Sequence, residues 1–163
     1  MKIVVIADTH IPIAADNIPP QLTKDIIAAD MVLHAGDLMD MNFLKQLEKL
    51  KPVVAVAGNM DSAELKRHLE TKKIIALEGI KIGLIHGEGA PYNLLEFVKN
   101  EFKDTADLSC VIYGHSHNPS IDIINGVVYF NPGSPTDKVF AAYNSYGILD
   151  IKEGKMTPQI IRL

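Results

Sequence analysis

From Met1 to Ala57 the 163-residue chain alternates buried-strand and helix patterns, and no other feature restricts its fold as much. Ile3, Val4, Val5 and Ile6 form a continuous β-branched run without polar alternation, which marks a strand covered on both faces. Pro19 and Pro20 can open a helix on which Leu22, Ile26 and Ala29 share a face. Met31 to Ala35 reads as the next strand, closed by Gly36-Asp37; Phe43, Leu44, Leu47 and Leu50 then recur at helical spacing before a third strand, Pro52 to Ala57. A β-α-β-α-β succession forces parallel strands with right-handed crossovers and sets their carboxyl ends along one rim.

The pattern then changes. Asp61-Ser62-Ala63-Glu64 has capping-box spacing and predicts a short helix carrying Leu65 and Leu69, with Lys72-Lys73 at its end, where cations are favoured. Ile74 to Leu77 and Ile80 to Ile85 read as paired strands around Glu78-Gly79, and Leu94, Leu95, Val98 and Phe102 as one more amphipathic helix. Leu108 to Tyr113, Ile121 to Ile124, Val127 to Phe130, Val139 to Leu149 and Lys155 to Ile160 are strand-like, separated by Asn-Gly, Pro-Gly and Glu-Gly turns, so the second half is expected to be mostly antiparallel. With no repeat or linker, residues 1–163 are expected to form one domain of two packed sheets flanked by helices.

Charge narrows the partners. Sixteen Lys and Arg stand against 20 Asp and Glu, and only Arg67 and Arg162 could grip phosphate as a planar fork, which argues against extended nucleic-acid binding. The apolar run Ile3 to Ala7 is too short for a signal peptide or a membrane span, and the single cysteine, Cys110, cannot form an internal disulfide. A cytoplasmic protein without a membrane partner is expected; self-association is left open.

Four strand ends terminate in potential metal ligands, Asp8-Thr9-His10, Gly36-Asp37, Gly58-Asn59 and His86-Gly87, and a fifth in Gly114-His115-Ser116-His117. Taken singly, each has a bland explanation, because Asp and Asn favour turns and a histidine at a strand end is usually a surface or capping group. Joint placement on one rim changes the odds. Asp8, His10, Asp37, Asn59, His86, His115 and His117 are mixed oxygen and nitrogen donors, suited to Mn, Fe, Co, Ni or Zn rather than Ca or Mg. Seven donors exceed one tetrahedral zinc site but suit two ions about 3.5–4 Å apart that share a carboxylate. Two carboxylates and two divalent ions sum to about +2, which would draw an anionic substrate to an acidic protein.

The ordered set D-T-H, G-D, G-N, H-G and G-H-S-H, with Asn131-Pro132-Gly133-Ser134, resembles the calcineurin-like metallophosphoesterases, especially their small bacterial and archaeal phosphodiesterase branch. The resemblance implies an α/β four-layer αββα sandwich of two mixed β-sheets and a hydrolase with two divalent transition-metal ions, manganese first, with Ni, Co, Zn or Fe as alternatives. Carried over by position, Asp8, His10, Asp37 and His117 would hold one ion and Asp37, Asn59, His86 and His115 the other, with Asp37 as the bridge. Asp37, Asn59 and His115 would take direct part in catalysis. A hydroxide shared by the ions would attack phosphorus in line with the leaving oxygen of a small phosphoester.

One position departs from the pattern. Many superfamily members carry His after the motif asparagine, whereas Asn59 is followed by Met60, which can neither protonate a leaving group nor stabilise a phosphoryl. Diesters or activated esters are therefore expected over monoesters, with a phosphomonoesterase or nucleotide hydrolase as the alternative. A protein-interaction scaffold is the remoter one, since the metal-free retromer subunit keeps this fold, yet here every ligand position is filled. Asp61 could serve as an acid, but the capping box is the better account. His34 is expected to support the ligands or the core, and His68 and Glu88 to lie on the surface.

Overall fold

The computed structural model describes all 163 residues and resolves them into two five-stranded sheets. The first third follows the expected alternation: β1 (Lys2–Ile6), α1 (Pro20–Ala28), β2 (Met31–His34), α2 (Met41–Leu50) and β3 (Val53–Ala55). β1 pairs in parallel with β2, and β2 with β3. A short helix, α3 (Ala63–His68), leads into the hairpin β4 (Lys72–Leu77) and β5 (Ile80–Ile85), so Lys72 and Lys73 begin a strand and do not close a helix. After α4 (Leu94–Glu101) come β6 (Cys110–Ile112), β7 (Ser120–Ile124), β8 (Val127–Asn131), β9 (Ser145–Lys152) and β10 (Lys155–Arg162).

The sheets run β10-β9-β1-β2-β3 and β4-β5-β6-β8-β7. Antiparallel pairs prevail in the second half of the chain, as expected, in β4·β5, β7·β8, β9·β10 and β9·β1, but the centre of the second sheet is parallel. β5, β6 and β8 are mutually parallel and only the outer pairs β4·β5 and β7·β8 are hairpins. The C-terminal hairpin leaves this sheet and adds to the first, β9 lying antiparallel to β1. Residues 139–144, expected as strand, are loop, because Asp137 accepts the backbone N–H groups of Val139, Phe140 and Ala141 and curls the chain.

Alternation along β1 explains the layering. Ile3 and Val5 point into a core shared with Ile82, Leu84, Cys110, Ile112 and Phe130 of the other sheet. Val4 and Ile6 point the other way, onto Leu22, Ile26, Phe43, Leu44, Leu47 and Leu65 of α1, α2 and α3. Leu94, Val98 and Phe102 of the α4 segment cover the outer face of the second sheet. The order is helix, sheet, sheet, helix: the four-layer αββα sandwich of two mixed sheets. No helix is long and apolar enough to cross a membrane. Each sheet thus has three parallel strands, and the chain leaves those strands towards one rim, where Asp8 N–H donates to Gly36 O and Gly114 N–H to His86 O (3.0 Å each).

Candidate metal centre

All seven predicted donors meet at that rim. Asp8 follows β1 and is fully buried; Asp37 follows β2 and His86 follows β5, both nearly as deep. His10 and His117 bring their Nε2 atoms to 3.3 Å from each other and to 4.0 and 3.5 Å from Asp8 Oδ1. Asp37 Oδ2 lies 3.7 Å from His10 Nε2 and 3.3 Å from His86 Nε2. Asn59 Oδ1 lies 3.0 Å from both His86 Nε2 and His115 Nδ1. Two groups are close enough to hold a metal ion, Asp8·His10·His117 and Asp8·Asp37·His86.

Delivering these side chains inward costs backbone strain. Asp8, His10, Asp37, His115 and His117 all have positive φ, between 45° and 69°. Non-glycine residues in this region carry a penalty of about 1 kcal/mol or more, which the surrounding structure must offset. It does so with hydrogen bonds. His115 N–H donates to both oxygens of Asp8 (3.1 and 2.9 Å), and Met60 N–H donates to Asp37 Oδ1 (2.8 Å).

The outward nitrogens decide how the rings are protonated. A carbonyl only accepts, so His86 Nδ1–H donates to Ala35 O (2.8 Å) and His115 Nε2–H donates to Gly89 O (2.9 Å). His117 Nδ1 sits 2.9 Å from Asp137 Oδ2, a charge contact not aligned as a hydrogen bond, and His10 Nδ1 faces Met39 Sδ at 3.4 Å. For His86 and His115 the outward nitrogen thus holds its proton against a backbone carbonyl, the arrangement by which metal-binding histidines are oriented.

Electrostatics records the crowding. Burial raises the Asp8 carboxyl to about 6 even though His86 and His117 pull it down. Burial also acts on Asp37, but the His86 hydrogen bond and charge outweigh it and hold this carboxyl below its ordinary value. For His86 burial opposes the cation, yet Asp37 and Asp8 win and lift the ring to about 9. Without metal, a proton on His86 balances the buried carboxylates. Burial lowers His10.

Residues 1–154 match the calcineurin-like phosphoesterase superfamily domain. The chain belongs to this superfamily. Among its relatives is a probable metallophosphoesterase of Methanothermobacter thermautotrophicus, 38% identical over 99% of this chain and 92% of that one. A phosphodiesterase of Methanocaldococcus jannaschii is 27% identical over 82% and 83% of the two chains. The fold is shared with Vps29 of Entamoeba histolytica, solved in complex with Zn²⁺, at a TM-score of 0.77 and 24% identity over 99% of each chain.

Around the metallophosphoesterase donors lies a shell that the sequence only partly disclosed. Asp61 does not cap α3; Ser62 does, accepting from Leu65 N–H. The Asp61 carboxylate, 4% exposed, instead accepts three backbone N–H groups, from Asp37 (3.2 Å), Met39 (2.7 Å) and Gly58 (2.7 Å). It ties the turn carrying Asp37 to the turn carrying Asn59, which leaves it unsuited to act as a proton donor. His34 plays the supporting part expected of it. Thr9 Oγ1 points its proton at Asp37 O (3.4 Å) and accepts from His34 Nε2–H (3.0 Å), while His34 Nδ1 accepts from Gly36 N–H (3.2 Å). Burial drives its pKa down to about 3, so the ring is neutral.

The Asn131-Pro132-Gly133-Ser134 segment knots the loops together. Asn131 Nδ2 donates to Gly114 O and Ser134 Oγ to Asp8 O, while Thr136 Oγ1 donates to Thr9 O. Asp137 was not singled out in the sequence, because the apolar run after it reads as strand. His68 and Glu88 are exposed.

Proposed function

We propose that this metallophosphoesterase is a phosphodiesterase that uses two divalent transition-metal ions. The observation that carries it is the inward convergence of nitrogen and oxygen ligand atoms. His10 and His117 face each other, Nε2 to Nε2, at 3.3 Å, with the Asp8 and Asp37 carboxylates alongside. Such a cluster of acceptors is unfavourable unless a proton or a cation lies among them. The donor set, imidazole and carboxylate with one amide oxygen and no thiolate, fits Mn, Fe, Co, Ni or Zn. Asp8, His10, Asp37 and His117 would hold one ion, and Asp37, Asn59, His86 and His115 the other, which makes Asp37 the shared ligand.

Bound there, the ions would supply positive charge to the phosphate oxygens and ionise a water near neutral pH. The protein's own part is orientation. Asp61, His34 and Ala35 fix the angles of Asp37, Asn59 and His86 before substrate arrives, so little reorganisation is left for the reaction. Diester specificity is favoured by Met60, which provides no acid for a leaving alkoxide and no cation for a second phosphate charge, and by the phosphodiesterase among the relatives. The test is hydrolysis of bis-p-nitrophenyl phosphate by protein loaded with Mn²⁺, compared with Asp37→Asn. Turnover close to two ions per chain, lost in the variant, is expected; a fully metallated protein inert on diesters refutes the proposal.

A further inference from the structure

The cleft in front of the metal centre encloses about 460 Å³, within the range of small-ligand sites. Its floor is made of donors, and its wall of Met60, Pro91, Ser116, Asn118 and Phe140. No lysine or arginine lines it. The nearest cations, Lys66 and Lys72, line the neighbouring cleft beyond Asn59, so an arm of the substrate seated in this one meets no counter-charge of its own. Nothing in the wall titrates near neutrality either, so a departing oxygen must leave with its electron pair unaided by a side chain.

Two large apolar side chains of the wall stand open to solvent. Phe140 is 73% exposed and Met60 53% exposed, side by side in front of the donors. Ile13, Tyr92 and Val139, also largely exposed, are within three residues of His10, Pro91 and Phe140, so the same loops carry them. The other exposed large apolar residues lie elsewhere, Ile27 and Leu50 on helices, Ile74 and Ile123 on outer strands and Leu163 after β10.

Phe140 is held where it is. Asp137 accepts N–H bonds from Val139, Phe140 and Ala141 (2.9, 2.9 and 2.6 Å) and the same carboxylate faces His117 Nδ1. The Phe140 ring meets His117 edge to face, with centroids 5.8 Å apart. Met60 is likewise anchored through its backbone, whose N–H donates to Asp37 Oδ1. One shell of hydrogen bonds thus sets both the donors and the apolar wall.

We infer that the cleft takes a phosphodiester whose departing arm is an uncharged aryl group, seated against Phe140 and Met60. This deepens the phosphodiesterase proposal and rests on it. In the reaction the hydroxide oxygen forms a bond to phosphorus as the phosphorus–aryl oxygen bond breaks. The aryl oxide leaves with that electron pair, stabilised by its own ring, and takes its proton from solvent; the products are a phosphomonoester and a phenol. An alkyl oxide lacks that stabilisation and the wall offers no acid to replace it.

The test separates binding from turnover. On the Mn²⁺-loaded protein, calorimetry compares phenylphosphonate with methylphosphonate, which carry the same charge and differ in the ring. Kinetics compares methyl p-nitrophenyl phosphate with dimethyl phosphate. Phenylphosphonate is expected to bind about tenfold more tightly, as burial of one ring face allows, and the gap to close in Phe140→Ala and Met60→Ser. Both side chains are exposed, so both variants will fold. kcat/KM for the aryl diester should fall with the gap. Equal affinities, a preference that survives both substitutions, or equal turnover of the two diesters overturns the aryl subsite and leaves the phosphodiesterase standing. Ring preference without cleavage of any diester overturns the phosphodiesterase, and with it the departing-arm assignment.

Discussion

Asp61→Asn isolates a residue that touches no proposed ligand side chain yet governs two of the turns that carry them. The carboxylate accepts from Asp37 and Gly58 through Oδ2 and from Met39 through Oδ1. An amide can put its oxygen at only one of these positions. With the oxygen at Oδ2 two bonds survive, weakened because the acceptor is neutral, and the new NH2 group confronts the Met39 N–H, donor to donor. Loss of one charge-assisted bond costs about 1.5–3 kcal/mol and weakening of two others somewhat less, a total of about 3 kcal/mol. With a urea dependence of about 2 kcal/mol per molar, the unfolding midpoint of the metal-free protein should drop by about 1.5 M. Ser62→Ala, which removes only the helix cap next door, should cost about 1 kcal/mol and serves as the reference. Equilibrium urea unfolding followed by circular dichroism reads both, and Mn²⁺ titration of the folded variants reads the second consequence. Asp61→Asn should weaken metal binding, whereas Ser62→Ala should leave it unchanged. A midpoint for Asp61→Asn no lower than that of Ser62→Ala would refute the assignment of Asp61 as the tie between the two turns.

Three further outcomes follow from the same geometry. His86 carries a folded-state pKa of about 9 against an ordinary 6.5, so the metal-free protein binds an extra proton between these values. Its stability contribution is complete below about pH 6.5 and is lost as the pH rises through 9, whereas Mn²⁺ affinity should rise over that window with proton release, measured by calorimetry in two buffers. Asp137→Asn removes the charge that faces His117 Nδ1 and should weaken metal binding about 10- to 100-fold in the same titration. Gly58→Ala would place a Cβ on the backbone N and carboxylate of Asp37, so metal binding should be lost even where the variant still folds, as judged by its far-ultraviolet circular dichroism.

The strand-helix alternation before Ala57 was legible because β1 and β2 are buried on both faces and each helix on one, and the edge strand β3 keeps the same run of apolar residues. The Glu78-Gly79, Asn125-Gly126 and Glu153-Gly154 hairpins were legible too, since two successive positive φ values at such turns favour a glycine at the second position. Less could be read where a side chain spends itself on distant backbone. Asp61 looks like a helix cap because its three partners, at positions 37, 39 and 58, are invisible to local spacing. Residues 139–144 look like strand because their apolar side chains carry no mark of the Asp137 carboxylate that curls them.

The chain's own pattern of types therefore determined which residues can serve the site: seven nitrogen and oxygen donors at strand ends, and Met60 where an acid could stand. Tertiary structure decided everything that depends on relative position. It made the second sheet mixed by running β8 parallel to β6, a choice set by long-range pairing and not by the turns. It turned five donors inward through positive φ and set the outward nitrogens of His86 and His115 against backbone carbonyls. Distances of 3–4 Å between groups up to 109 residues apart arise only when two sheets close on a shared core, because the hydrophobic burial that stacks them also overcomes the strain and crowding at their rim.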